Sequence, residues 1–289
     1  KIKFISIAKD VVNLEIKALQ NLKKNINQSF NEAVFEIANC QSKVILCGVG
    51  KSGLIASKIA ATLASVGTPS FSMSASEASH GDLGMISKKD ILILISYSGN
   101  SIELKNIINY ANRNKVLLIG ITSKKNSDLY RNSDIGLITP EVKEAGLDMV
   151  PTSSTINQLS IGDALAVSTL KRKKINSLDF KKFHPSGSLG EKLKTVEDLM
   201  LTHKKIPFIN ENILMKKALK IMTEKKLGTL IIRNKKKHTT GIITDGQIRR
   251  LNSKNINFNL LKVKKVMTKN PIKIEKNTLA TKALSIMNE

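Results

Sequence analysis

Gly48-Val-Gly50-Lys51-Ser52-Gly53 follows an apolar run and opens a stretch of helical periodicity. Glycines at that spacing let backbone N–H groups and a helix N-terminus approach a phosphate. A dinucleotide site also needs an acid ending the second strand to hold the ribose. Here that strand ends Met73-Ser74-Ala75, and the first acid is Glu77. A nucleotide P-loop needs Gly at position 45, which is Ile45. Both nucleotide readings fail on a named residue, while Lys51 inside the turn argues for an anionic ligand over a purely structural turn.

Ser96-Tyr-Ser98-Gly99-Asn100-Ser101 follows the strongest apolar run of the chain. One serine would serve as a helix N-cap. Three hydroxyls, on Ser96, Ser98 and Ser101, exceed that need and form an uncharged cradle for a phosphate monoester. A third set, His80, Glu103, Glu144 and His184, is expected at the same carboxyl edge of the sheet. Two carboxylates, two imidazoles and a lysine beside a phosphate cradle suit proton transfer next to a carbonyl. No His or Cys pair has metal-ligand spacing, so no metal is expected.

The elements that must position these residues are legible from periodicity. Val11, Leu14, Leu19, Leu22, Ile26, Phe30, Val34 and Ile37 recur at helical spacing, so one or two helices precede the sheet. Val44 to Cys47, Ser70 to Met73, Ile91 to Ile95, Val116 to Ile121 and Ile135 to Ile138 read as strands. Ser52 to Val66, Ser101 to Arg113 and Ser127 to Asn132 read as the helices between them. This alternation predicts an α/β fold: a five-stranded parallel, flavodoxin-like sheet with helices on both faces. A long helix from Thr155 to about Lys171 and a last piece near Asp179 to Leu193 complete it.

Past Lys194 a repeat begins. Val196-Glu-Asp-Leu-Met200 is echoed by Val263-Lys-Lys-Val-Met267, and Ala218-Leu-Lys-Ile-Met222 by Ala283-Leu-Ser-Ile-Met287. Two copies of one supersecondary unit are expected, forming a smaller α+β domain. The domains divide at 1–194 and 195–289, with the second repeat incomplete at Glu289. A half unit cannot bury its own face, so its tail is expected to be mobile or borrowed from a partner.

Composition excludes several classes. Hydrophobic residues make up 41%, enough for a core. The net charge of +24 invites a polyanion partner, but Lys is spread along the whole chain together with Ile and Asn, as codon bias produces. No Trp and three Tyr leave little for base stacking. No nucleic-acid partner is expected. Cys40 and Cys47 form no framework, Cys47 reads as a buried inert thiol, and no apolar run approaches a membrane span. A reducing, cytoplasmic location with no membrane partner follows.

Taken together, the glycine loop, Glu77-Ala-Ser-His-Gly-Asp-Leu-Gly84, the serine loop, Pro151-Thr-Ser-Ser-Thr155, Gly162-Asp-Ala-Leu-Ala166 and His184-Pro-Ser-Gly-Ser-Leu-Gly190 resemble arabinose-5-phosphate isomerase. That family joins a sugar-isomerase (SIS) domain to a pair of CBS repeats, and the resemblance covers nearly the whole chain. It implies interconversion of D-ribulose 5-phosphate and D-arabinose 5-phosphate, the first step toward Kdo for lipopolysaccharide or capsule. It also implies a homotetramer, and a nucleotide or phosphosugar effector at the CBS pair. By the match, Lys51, Glu103, Glu144 and His184 fall on catalytic positions, and His80, Gly67 and Thr68 on substrate-contacting ones. Two departures stand out. Ser74 stands where the resemblance implies a His for an inhibitory metal, and Gly146 to Val150 is one residue shorter and lacks a Cys-Pro start. They bear on metal sensitivity and substrate fit, not on the reaction.

The expected mechanism is a cofactor-free aldose–ketose isomerisation through a cis-enediol. Ser52, Ser96, Ser98 and Ser101 anchor the phosphate, so that binding far from C1 and C2 orients the reacting end. Glu144 moves a proton between C2 and C1, His184 opens the ring or relays a hydroxyl proton, Lys51 stabilises negative charge, and Glu103 orients Lys51 or a substrate hydroxyl. These roles remain interchangeable among the four. A rival of another class is a non-catalytic phosphosugar-binding regulator. Such proteins usually carry a helix-turn-helix ahead of the sugar domain, and the roughly 40 residues before the first strand leave little room for one.

Overall fold

The computed structural model describes residues 3–184, 186–252 and 258–288. Contacts divide the chain into two compact units, Lys1–Pro185 and Ser186–Glu289.

In the first unit, helices α1 (Phe4–Asn25) and α2 (Gln28–Asn39) precede the sheet. Strands β1 (Val44–Gly48), β2 (Ser70–Ser74), β3 (Ile91–Ile95), β4 (Leu117–Thr122) and β5 (Ile135–Ile138) run parallel in the order β2-β1-β3-β4-β5. This is the expected doubly wound layer, with strand bounds within one residue of those read from sequence. Helices α3 (Lys51–Ser65), α4 (Ala75–Ala78), α5 (Ile102–Asn114) and α6 (Asp128–Arg131) connect the strands. After β5 an irregular turn, α7 (Ala145–Asp148), leads into the long α8 (Ser153–Arg172), followed by α9 (Ser177–Phe183).

The strands read as continuous apolar runs because both faces are covered. Val44, Leu46, Ile91, Ile93 and Ile95 pack with α2, α3 and α8 on one side. Ile45, Cys47, Leu92 and Leu94 pack with α4 and α5 on the other. Cys47 is fully buried, and burial pushes its thiol up to about 12 against a backbone hydrogen bond at Gly48. At the amino edge, the Lys43 ammonium meets the buried Asp90 carboxylate at 2.9 Å, joining the start of β1 to the start of β3.

The stretch expected as one piece near Asp179 to Leu193 is two helices, α9 and α10 (Gly187–Lys192). His184 between them has φ −129° and ψ 65°. A residue before proline is pushed out of the helical region, and proline cannot continue a helix. Pro185 itself lies outside the described residues.

In the second unit, α11 (Val196–Leu199), β6 (Phe208–Asn210), α12 (Met215–Lys225), β7 (Thr229–Arg233), β8 (Thr239–Thr244), α13 (Asp245–Asn252), β9 (Thr268–Lys269) and α14 (Ala280–Asn288) follow in order. The sheet order is β6-β7-β8-β9, with β6–β7 parallel and the others antiparallel. Met215, Ala218, Met222, Leu230, Ile232 and Ile243 form its core. The repeat appears as a reciprocal exchange of backbone bonds. Val263 N–H donates to Ile213 O and Met215 N–H to Leu261 O; in the other copy, Val196 N–H donates to Thr278 O and Ala280 N–H to Lys194 O. Thus each copy's Val-x-x-x-Met segment clamps the start of the other copy's helix. No described residue of α14 is buried.

Candidate active site

The strand order reverses between β1 and β3, so their carboxyl ends open a crevice. Two helices enter there, α3 through the glycine loop and α5 through the serine loop. Neither has a side-chain N-cap bond, whereas α2 and α6 are capped by Asn27 and Ser127. Uncapped N-termini leave N–H donors and positive dipole ends for an anion. The glycine loop is built by close approach: a Cβ on Gly48 would lie 2.8 Å from the Ser52 carbonyl carbon and oxygen. Lys51 is the first residue of α3, exposed and without an ion-pair partner among the described residues. Ser52 follows it, half-buried.

The serine loop differs from the expected cradle. Ser96 Oγ lies 2.9 Å from Ser101 Oγ and also accepts from the Gly99 N–H, while Ser98 Oγ accepts from the Asn100 N–H. The three hydroxyls therefore first shape the loop. The donors aimed outward are the first N–H groups of α5, at Ile102 and Glu103, which have no acceptor among the described residues. Tyr97 ties the loop to the next segment, since its OH accepts from the Val142 N–H at 3.1 Å.

A groove of about 770 Å³ is lined by Gly48, Gly50, Gly53, His80 and Glu103. It also carries hydroxyls that sequence reasoning missed, on Ser57, Ser72, Ser74, Ser76 and Ser79. The alternation Ser70-x-Ser72-x-Ser74 along an edge strand was the available signal. His80 follows α4, and Asn106 on α5 donates to its neighbour Ser79 at 3.3 Å.

Glu144 stands at the same edge, half-buried, but its carboxylate caps α8. It accepts from the Thr152 N–H at 2.8 Å, Thr152 Oγ1 at 3.1 Å and the Ser154 N–H at 3.2 Å. Its own N–H donates to Asp148 at 2.6 Å, fastening the irregular turn.

His184, expected at the carboxyl edge with the others, is not there. Helix α8 runs back along the sheet, so α9 and His184 lie at the amino edge with Gly67 and Thr68. A Cβ on Gly67 would meet Phe183 at 2.8 Å, which places the residue before His184 against this turn. The His184 ring stacks on Phe180 at 4.1 Å, and Nδ1 lies 3.0 Å from Phe180 O. A carbonyl only accepts, so Nδ1 carries a proton, and Nε2 has no partner among the described residues. The five-residue strands put about 16 Å between the two edges. Within one chain, then, Lys51, Ser52, His80, Ser96, Ser98, Ser101, Glu103 and Glu144 share one edge, while Gly67, Thr68 and His184 share the other. No group of three or more metal-ligating side chains occurs among the described residues.

The SIS domain family matches residues 36–168 and the CBS domain family residues 196–254. An arabinose 5-phosphate isomerase, KdsD, of Yersinia pestis is 41% identical over 98% of this chain and 87% of its own length. The chain belongs to the arabinose 5-phosphate isomerase family. An uncharacterized protein of Rickettsia prowazekii is 39% identical over 97% of this chain and 88% of its own. Among solved structures, an E. coli CFT073 protein in complex with arabinose 5-phosphate aligns with a TM-score of 0.61 and 38% identity, covering 63% of this chain and 97% of that one. Membership in an isomerase family weighs against the regulator reading. No helix among the described residues is long and apolar enough to cross a membrane.

Proposed function

We propose that this chain interconverts D-ribulose 5-phosphate and D-arabinose 5-phosphate through an enediol, at the crevice between β1 and β3. The observation that carries the reading is one groove lined by the glycine loop that opens α3, by Glu103 in the first turn of α5 and by His80, with Lys51 following Gly50 at the start of α3. The phosphate rests on the N–H groups opening α3 and α5, with Ser52 and the serine loop shaping its seat. Lys51 offsets the charge of the phosphate or the enediolate. Glu144 moves the proton between C2 and C1, and its bonds to α8 hold the carboxylate in one orientation. Glu103 positions Lys51 or a substrate hydroxyl.

Gly67, Thr68 and His184 reach the same reaction from a second copy of the chain. Their place at the opposite edge supports a shared site and a symmetric homo-oligomer, which we take as a tetramer. His184, with Nε2 open, would open the ring or relay a hydroxyl proton. We place the catalytic domain at 1–194 and the regulatory one at 195–289. A cavity of about 640 Å³ lined by Ile231, His238, Thr239, Ile242, Ile272 and Lys273 supports an effector, a nucleotide or phosphosugar, in the latter. The product would feed Kdo synthesis in the cytoplasm.

The test is NMR of ribulose 5-phosphate incubated in deuterated water. Arabinose 5-phosphate labelled at C2 is the expected product, and Glu144→Gln is expected to bind substrate without forming it. Binding by the unaltered protein with no product would instead indicate a sensor. Turnover kept in Glu144→Gln but lost in Glu103→Gln would move the proton transfer to Glu103.

A further inference from the structure

Lys173 ends α8, with its N–H donating to Thr169 O. Its ammonium folds back onto the turn between α3 and β2, donating to Thr68 Oγ1 at 3.0 Å and to Gly67 O at 3.4 Å. No carboxylate among the described residues pairs with it. Burial holds the ammonium below the usual lysine range, partly offset by the nearby Cys40. A half-buried cation without a counter-charge costs stability, so what it holds is of interest.

It holds a turn with no slack. Gly67 has φ +82°, and an added Cβ would lie 2.8 Å from both Ile175 Cδ1 and Phe183 Cε2. Thr68 is 1% exposed. Lys173 thus grips the turn on its polar side while Ile175 and Phe183 pack on its open side. Phe183 leads directly into His184, whose ring is set by Phe180.

We infer that Lys173 is a positioning residue for the isomerisation: it clamps the Gly67–Thr68 turn and, through Phe183, seats His184. This rests on the proposed role of the amino-edge residues. Lys173→Met removes the donors and keeps the apolar stem, and Lys173→Arg restores them. Lys173→Met is expected to lower kcat about tenfold, and Lys173→Arg to recover to within about threefold of the original. Independently of activity, the His184 imidazole nitrogen signals are expected to shift in Lys173→Met and stay in place in Lys173→Arg. Unmoved His184 signals, or a kcat in Lys173→Met within about twofold of the original, overturn the inference. So does a loss of equal size in both variants that follows a fall in melting temperature. An unaltered protein with no isomerase activity refutes the proposed function instead, and the His184 signals alone then decide whether Lys173 seats that ring.

Discussion

Ser96, Ser98 and Ser101 look in the sequence like three hydroxyls waiting for a phosphate, yet each already has a partner in its own loop. Their side chains hold the backbone so that the opening N–H groups of α5 face the crevice. Gly99 is the hinge of that loop, with φ +70° and Leu129 N–H bonded to its carbonyl. A methyl there would overlap Ser127 Oγ and lie 2.5 Å from Ser127 Cβ and 2.7 Å from Thr122 Oγ1. The left-handed backbone adds its own penalty for a side chain. Gly99→Ala is therefore expected to destabilise the protein by about 2–4 kcal/mol, measured as a lower denaturation midpoint. The surviving folded fraction should bind phosphosugar more weakly. An unchanged midpoint would mean that the loop has another conformation within reach.

At the scale of elements, the sheet is stitched at its amino edge by Asp90. Burial alone would raise this carboxyl, but hydrogen bonds from Ser42, the Ser87 N–H and Lys43 outweigh it and hold it down at about 2. In the unfolded chain an aspartate titrates near 3.9. The ionised form is thus favoured by folding, so its contribution is complete above about pH 4 and is lost as pH falls from there toward 2. Urea midpoints at pH 5 and pH 3 are expected to differ by less in Asp90→Asn than in the unaltered protein; equal differences would remove Asp90 from the account. The strands and helices were legible because short, unbroken apolar runs rich in β-branched residues, such as Ile91 to Ile95, alternate with stretches of helical periodicity, the pattern of strands covered on both faces. Glu103 and His80 were legible as carboxyl-edge residues because each lies in the connection that leaves a strand, past β3 and past β2. The duty of Glu144 as the cap of α8 was not, since Thr152 and Ser154 reach it only once the turn at Gly146 folds. The edge occupied by His184 was also hidden, because it depends on α8 running the full depth of the sheet.

At the scale of the molecule, the separation of the two edges is the fact a mechanism must accommodate. Side chains about 16 Å apart along parallel strands cannot meet over one pentose phosphate. Either His184, Gly67 and Thr68 take no part in the chemistry, or a second copy presents its amino edge to the first copy's crevice. The two alternatives differ in what happens when defective chains are mixed. A Lys51→Ala chain lacks the carboxyl-edge half of a site, and a His184→Ala chain lacks the amino-edge half. If sites are shared between paired copies, each mixed pair contains one site with both halves intact and one with neither. Random pairing makes half of the pairs mixed, so co-expression is expected to restore about a quarter of the original activity per chain, from two variants that are each nearly inactive. The assay is turnover of ribulose 5-phosphate by the co-purified assembly, with separately purified variants mixed just before measurement as the non-exchanging control. An inactive mixture, with both variants present in one oligomer, would refute sharing between paired copies, whereas a His184→Ala chain that is active on its own would leave His184 outside the site.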